Sequence, residues 1–166
     1  MKQSFLFWRI IKKSILCNKK HFFLAAVSSV AHAFASVSVT FVIQIFLEQC
    51  LSAPIGKCAW LVAILGMAII LSQCSMTINN YFFDMFEYDL RKTLDELLHK
   101  KISMLSAEAF EDTKTLDLLS KAKKGVEGYV SVFALLHMLL FFYVPFFGGM
   151  ESYLFKLYPD LGWIVV

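Results

Sequence analysis

The chain has 166 residues, 58% hydrophobic, 16% aromatic and 17% charged, with a formal net charge of +3. Soluble domains carry about a quarter charged residues, so this composition excludes an ordinary soluble domain. The charges are also segregated. None falls in His21–Leu47, Cys58–Phe83 or Gly128–Met150, runs of 27, 26 and 23 residues, where a spanning helix needs about 20. The expected fold is an all-α membrane protein with three long transmembrane helices.

Residues 1–20 alternate apolar side chains (Phe5, Leu6, Trp8, Ile10, Ile11) with basic ones (Arg9, Lys12, Lys13). This pattern predicts an amphipathic helix lying in the membrane interface. The apolar run that follows is about twice the length of a signal-peptide core and lacks a small-residue cleavage site, so it is expected to stay in the membrane. The first span is predicted over 22–47. The loop Glu48–Lys57, with Pro54 and Gly56, is short enough to turn the next helix antiparallel. The second span is predicted over 58–83, with Trp60 as an interfacial anchor.

Residues 84–127 are charged, too long for a turn and too patterned for a linker. Between Tyr81 and Leu105 there is neither Gly nor Pro. Apolar residues Phe86, Leu90, Leu94, Leu97, Leu98, Ile102 and Leu105 recur at spacings of mostly three and four. A helix over Tyr81–Ser106 would reach about 39 Å. Ser106 marks a stop, and Asp112 or Thr113 is placed to cap a new short helix carrying Leu116, Leu118 and Leu119. Gly125 and Gly128 suggest a bend before a third span over 128–148, ending near Pro145 and Gly148–Gly149. Tyr158–Gly162 reads as a turn, and 161–166 as the beginning of a fourth span.

Fourteen of the sixteen basic residues fall before the first span or on the 84–127 stretch. The positive-inside rule then puts the N-terminus and this arm in the cytoplasm of a multi-pass plasma-membrane protein. The positive balance points to anionic lipid headgroups. No clustered basic-aromatic surface suggests nucleic acid. Four scattered cysteines make no disulfide framework; Cys50 and Cys58 flank one loop, paired or as two free thiols.

Ser28, His32, Ser36, Thr40 and Gln44 form a polar stripe on the first span, one every four residues. Polar groups at membrane depth need a partner or water. The stripe either lines a transport pathway or, with the small residues Ser29 and Ala33, forms a helix–helix seam. His32 and His137 lie at membrane depth with no carboxylate in any span, which favours neutral, hydrogen-bonded histidines over a proton relay. No phosphate-binding loop, metal-ligand spacing or nucleophile motif occurs, so no catalytic or metal residue is expected and the chain as it stands is not expected to be an enzyme.

Arg91 and Leu94, then Lys101–Ile102 with Leu105, then Phe110–Glu111–Asp112, then Leu118–Leu119 with Lys121–Ala122, resemble the first intracellular loop of an ABC exporter. In that family the second membrane helix runs into the cytoplasm, and a short coupling helix at its tip docks on an ATP-binding domain. The resemblance implies that Phe110 and Glu111 open the coupling region, that Thr113–Ser120 forms the coupling helix, and that Phe110, Glu111, Asp112, Leu116, Leu118, Leu119 and Lys121 make the contact. It likens residues 1–20 to the family's elbow helix and the chain to about half of a transmembrane domain. ATP and magnesium are implied only for an ATP-binding domain that this chain does not contain. The partners implied are that domain, the remaining half of the transmembrane domain and a second such domain in a dimer. The chain would be inactive alone. A different expectation from the same residues is a small standalone membrane protein whose arm tethers or regulates a cytoplasmic partner. A proton- or ion-coupled transporter is weakened by the absence of intramembrane carboxylates.

Overall fold

The computed structural model describes residues 15–16, 18–50 and 54–157, and their structure is helical. The α-helices whose bounds lie among the described residues are, in order, α1 (Lys19–Cys50), α2 (Ile55–Ile102), α3 (Thr113–Met138) and α4 (Val144–Leu157). A 3-10 turn, Ala107–Phe110, separates α2 from α3, and a π-helical turn, Leu139–Tyr143, joins α3 to α4. Three stretches are long and apolar enough to cross a membrane: Lys19–Gln49, Gly56–Ile102 and Thr113–Leu157. Only 11%, 11% and 17% of their most apolar windows are buried within the chain. Most of that apolar surface is left for lipid or other protein, as membrane helices require. The predicted elbow and the fourth-span beginning at 161–166 fall almost wholly outside the described residues. So does the Cys50 side chain, and with it the question of a Cys50–Cys58 pair.

The second span and the first part of the arm are one helix: α2 has 48 residues and ends at Ile102, four residues before the predicted stop. The separate short helix expected at Thr113–Ser120 is absent, because those residues are the opening turns of the 26-residue α3. The helix is not interrupted at Gly125 or Gly128, where an added Cβ would meet nothing within 4 Å. Glycine weakens a helix without breaking it, at about 1 kcal/mol relative to alanine, and neighbouring turns of good helix formers carry the chain through. The helix also continues past Pro145 and Gly148–Gly149 to Leu157. Proline lacks an N–H, and its ring crowds the carbonyl four residues back, here Phe141. The wide turn takes up that mismatch, with the Val144 N–H bonded to the Leu139 carbonyl five residues earlier.

The chain divides into two compact units. One comprises Phe82–Leu136 with the described residues up to Leu24, and the other comprises Ala25–Tyr81 with the described residues from His137 onward. The first unit is organised around Phe86, which is 1% exposed. Its ring lies 5.3 Å from Phe22 and 5.7 Å from Phe133, and Leu90 and Val130 are also buried. The second unit buries mainly small residues of α1: Ala25, Ala26, Ser29, Ala33 and Val37. Gly149 of α4 lies against Val37 so closely that a Cβ there would come within 3.1 Å of its Cγ2.

Candidate functional site: the tip of the charged hairpin

α2 ends with His99, Lys100 and Lys101 in its last turn, and the two lysine cations suit the negative end of the helix dipole. The backbone then tightens, with Met104 N–H to Lys101 carbonyl at 3.3 Å and Leu105 N–H to Ile102 carbonyl at 3.0 Å. Ser106 is extended (φ −69°, ψ 158°) and separates these turns from the 3-10 turn that follows. After the 3-10 turn, Asp112 restarts it. Its carboxylate accepts the backbone N–H groups of Lys114 and Thr115, each at 3.2 Å, and the Thr115 hydroxyl at 3.0 Å. These satisfy donors that a helix start leaves open. The Thr115 hydroxyl foremost, then the Lys114 N–H, holds the Asp112 carboxyl below its ordinary value.

The residues expected to contact a partner divide into two groups. Phe110, Leu116 and Leu118 are 42%, 47% and 65% exposed, and Met104 and Leu105 beside them are exposed too. Leu119 instead lines an open groove of about 550 Å³ with Leu98 and Ile102, flanked by Asp95, His99 and Lys123. It therefore packs along the hairpin and does not belong to the outward face. Glu111 and Asp112 are exposed, the latter committed to its cap. Lys121 pairs with Asp117 one turn back at 2.6 Å. Glu108 and Glu111 form no ion pair among the described residues.

The polar stripe of α1 does not converge on one feature. Ser28 and Ser29 donate to the Asn79 side-chain oxygen at 3.3 and 2.7 Å. His32 stacks on Phe142 with ring centres 5.0 Å apart, and its Nδ1 is buried without a hydrogen-bond partner among the described residues, unlike the bonded histidine expected. Ser36 and Thr40 are half-buried, and Gln44 bonds to Glu48 on its own helix. His137 is 2% exposed, with its ring 4.9 Å from Phe141.

One cluster was not anticipated from sequence. Asp89 of α2 accepts from the Asn18 side chain at 2.7 Å and pairs with His21 Nδ1 at 2.5 Å. Asn18 also caps α1, accepting the His21 N–H at 3.2 Å. Two signals lay in the chain: Asn18 just before the apolar run, and a carboxylate three residues after Phe86 on the arm's apolar face.

No protein-family model, curated protein or solved structure matches the chain. Fold and site define its class: an all-helical protein with three helices of membrane-spanning length and composition. One pair of those helices carries a charged hairpin with an exposed apolar tip. Among the described residues no group of three or more His, Cys, Asp or Glu is placed to hold a metal ion.

Proposed function

We propose that the chain is the membrane-spanning part of an ATP-driven exporter resembling the ABC family, supplying pathway helices and a coupling surface to an ATP-binding domain. The observation that carries this reading is the exposure of three large apolar side chains, Phe110, Leu116 and Leu118, at the end of a charged helical hairpin. Such exposure costs solvation free energy unless something covers it. The placement of fourteen basic residues on the N-terminal and hairpin side supports a cytoplasmic tip in the plasma membrane. In this reading Asp112 fixes the start of α3 and so holds Leu116 and Leu118 in register, while the ladder from Phe86 to Leu119 keeps the two arm helices moving together. An ATP-driven movement of the docked domain is then passed to α2 and α3.

The test is a photoreactive residue at Leu118 in the full chain, in its own membranes, with azido-ATP as the second label. Crosslinking to a protein that azido-ATP also labels is the expected result. Crosslinking only to a protein that does not bind nucleotide would overturn the exporter reading in favour of a standalone tether. For the orientation, a cysteine at Lys114 should resist membrane-impermeant labelling from outside intact cells. Ready labelling would reverse it.

A further inference from the structure

The tip carries the opposite charge to the turns next to it. From Ser103 to Leu118 there are four acids, Glu108, Glu111, Asp112 and Asp117, against the single base Lys114. The adjoining turns hold Lys100 and Lys101 on α2 and Lys121, Lys123 and Lys124 on α3, with no acid in 98–102 or 119–124. Ile102 and Lys123 line the same groove, so the lysines of the two helices lie at similar levels of the hairpin. Asp117 is paired with Lys121 and Asp112 is held in its cap, so the acids left for a partner at the tip, beyond a basic collar, are Glu108 and Glu111.

Glu108 and Glu111 bracket Phe110. The Glu111 N–H bonds to the Glu108 carbonyl at 3.1 Å, and residues three apart in such a turn eclipse one another. Both side chains are exposed, and neither forms an ion pair among the described residues. Two like charges on one edge beside an exposed aromatic ring repel each other, and a cation placed between them removes that repulsion.

We propose that the tip is read by a protein socket of defined charge: an apolar cleft that takes Phe110, rimmed by Arg or Lys facing Glu108 and Glu111. The inference rests on the tip being a docking surface, as the proposed function holds. An anionic membrane surface is disfavoured as the occupant, because Glu108 and Glu111 would face like charge. Charge at an interface rim acts mainly on encounter rate and choice of partner, and it is weakened by salt.

The experiment uses the same photoreactive residue at Leu118 in the full chain, with yield measured at low and high salt. Glu108→Lys with Glu111→Lys is expected to lower the yield on the order of tenfold. Glu108→Gln with Glu111→Gln should lower it less and remove most of its salt dependence. Both pairs are exposed, and unchanged membrane insertion will show that the fold is intact. Equal yields from all three proteins, or a salt-independent yield in the unaltered chain, would overturn the charged rim while leaving the apolar docking and the exporter reading standing. Crosslinks to lipid in place of protein would overturn both.

Discussion

The helices packed around Phe86 and the helices joined at Asn79 belong to the same continuous elements, yet they are held by different forces. In the first unit large side chains fill the core: Phe22, Phe86, Leu90, Val130 and Phe133, with charged residues on the outer faces. That is the packing expected where apolar surface is removed from water. In the second unit α1 is buried mainly through small residues, Ala25, Ser29 and Ala33, with Gly149 close against Val37 and Ser28 and Ser29 bonded to Asn79, beside the aromatic contacts His32–Phe142 and Phe41–Tyr153. Against lipid, burying a leucine gains little over leaving it exposed, so close backbone approach and hydrogen bonds decide the association. One helix, α2, passes from one regime to the other.

Breaking each side should therefore cost different amounts. Phe86→Ala should show the largest loss, about 3–5 kcal/mol, read as faster hydrogen exchange or proteolysis across the arm; a loss under about 1 kcal/mol would mean that water does not surround this unit. Asn79→Ala should cost only about 1 kcal/mol in mild-detergent unfolding, because Ser28 keeps its bond to the Ala25 carbonyl at 3.0 Å. Gly128→Ala should raise arm stability, by up to about 1 kcal/mol, because α3 is continuous there and the added methyl meets open space. Loss of stability would restore the bend.

The smallest effect concerns acid. Asp112 has a depressed folded value, so its contribution is present above the ordinary aspartate range and is lost as pH falls through the folded value. Amide exchange at Lys114 and Thr115 should quicken only at that low pH, and Asp112→Asn should remove this onset. An onset near neutrality would contradict the cap.

Much of the arm was legible because water imposes a period on a helix. Phe86 and Leu90 are its most buried members, and Leu94, Leu98 and Ile102 are half-buried on the same stripe. Leu97 and Leu105 matched the spacing but lie exposed, since the stripe slips slightly with each turn. The stop near Ser106 and the Asp112 cap were legible because both depend on local chemistry. The continuity of α3 through two glycines was not, nor was the passage past Pro145, because in a long helix the flanking turns outweigh a single weak residue. Leu119, expected among the partner-contact residues, lines the groove with Leu98 and Ile102; at the start of a helix, too few turns precede it to fix the face. The Asp89 cluster joins residues 18, 21 and 89, and no local pattern reveals a pairing across that distance.

The claim that α2 changes solvent along its length is tested most directly by spin labels placed singly at its exposed positions Ile70, Ile78, Tyr88 and Glu96 in reconstituted membranes. Relaxation by oxygen, which concentrates in lipid, should dominate at Ile70 and Ile78, and relaxation by a water-soluble nickel complex at Tyr88 and Glu96, with the crossover near Phe82. Uniform access of the nickel complex along all four positions, or lipid-like access at Glu96, would contradict it.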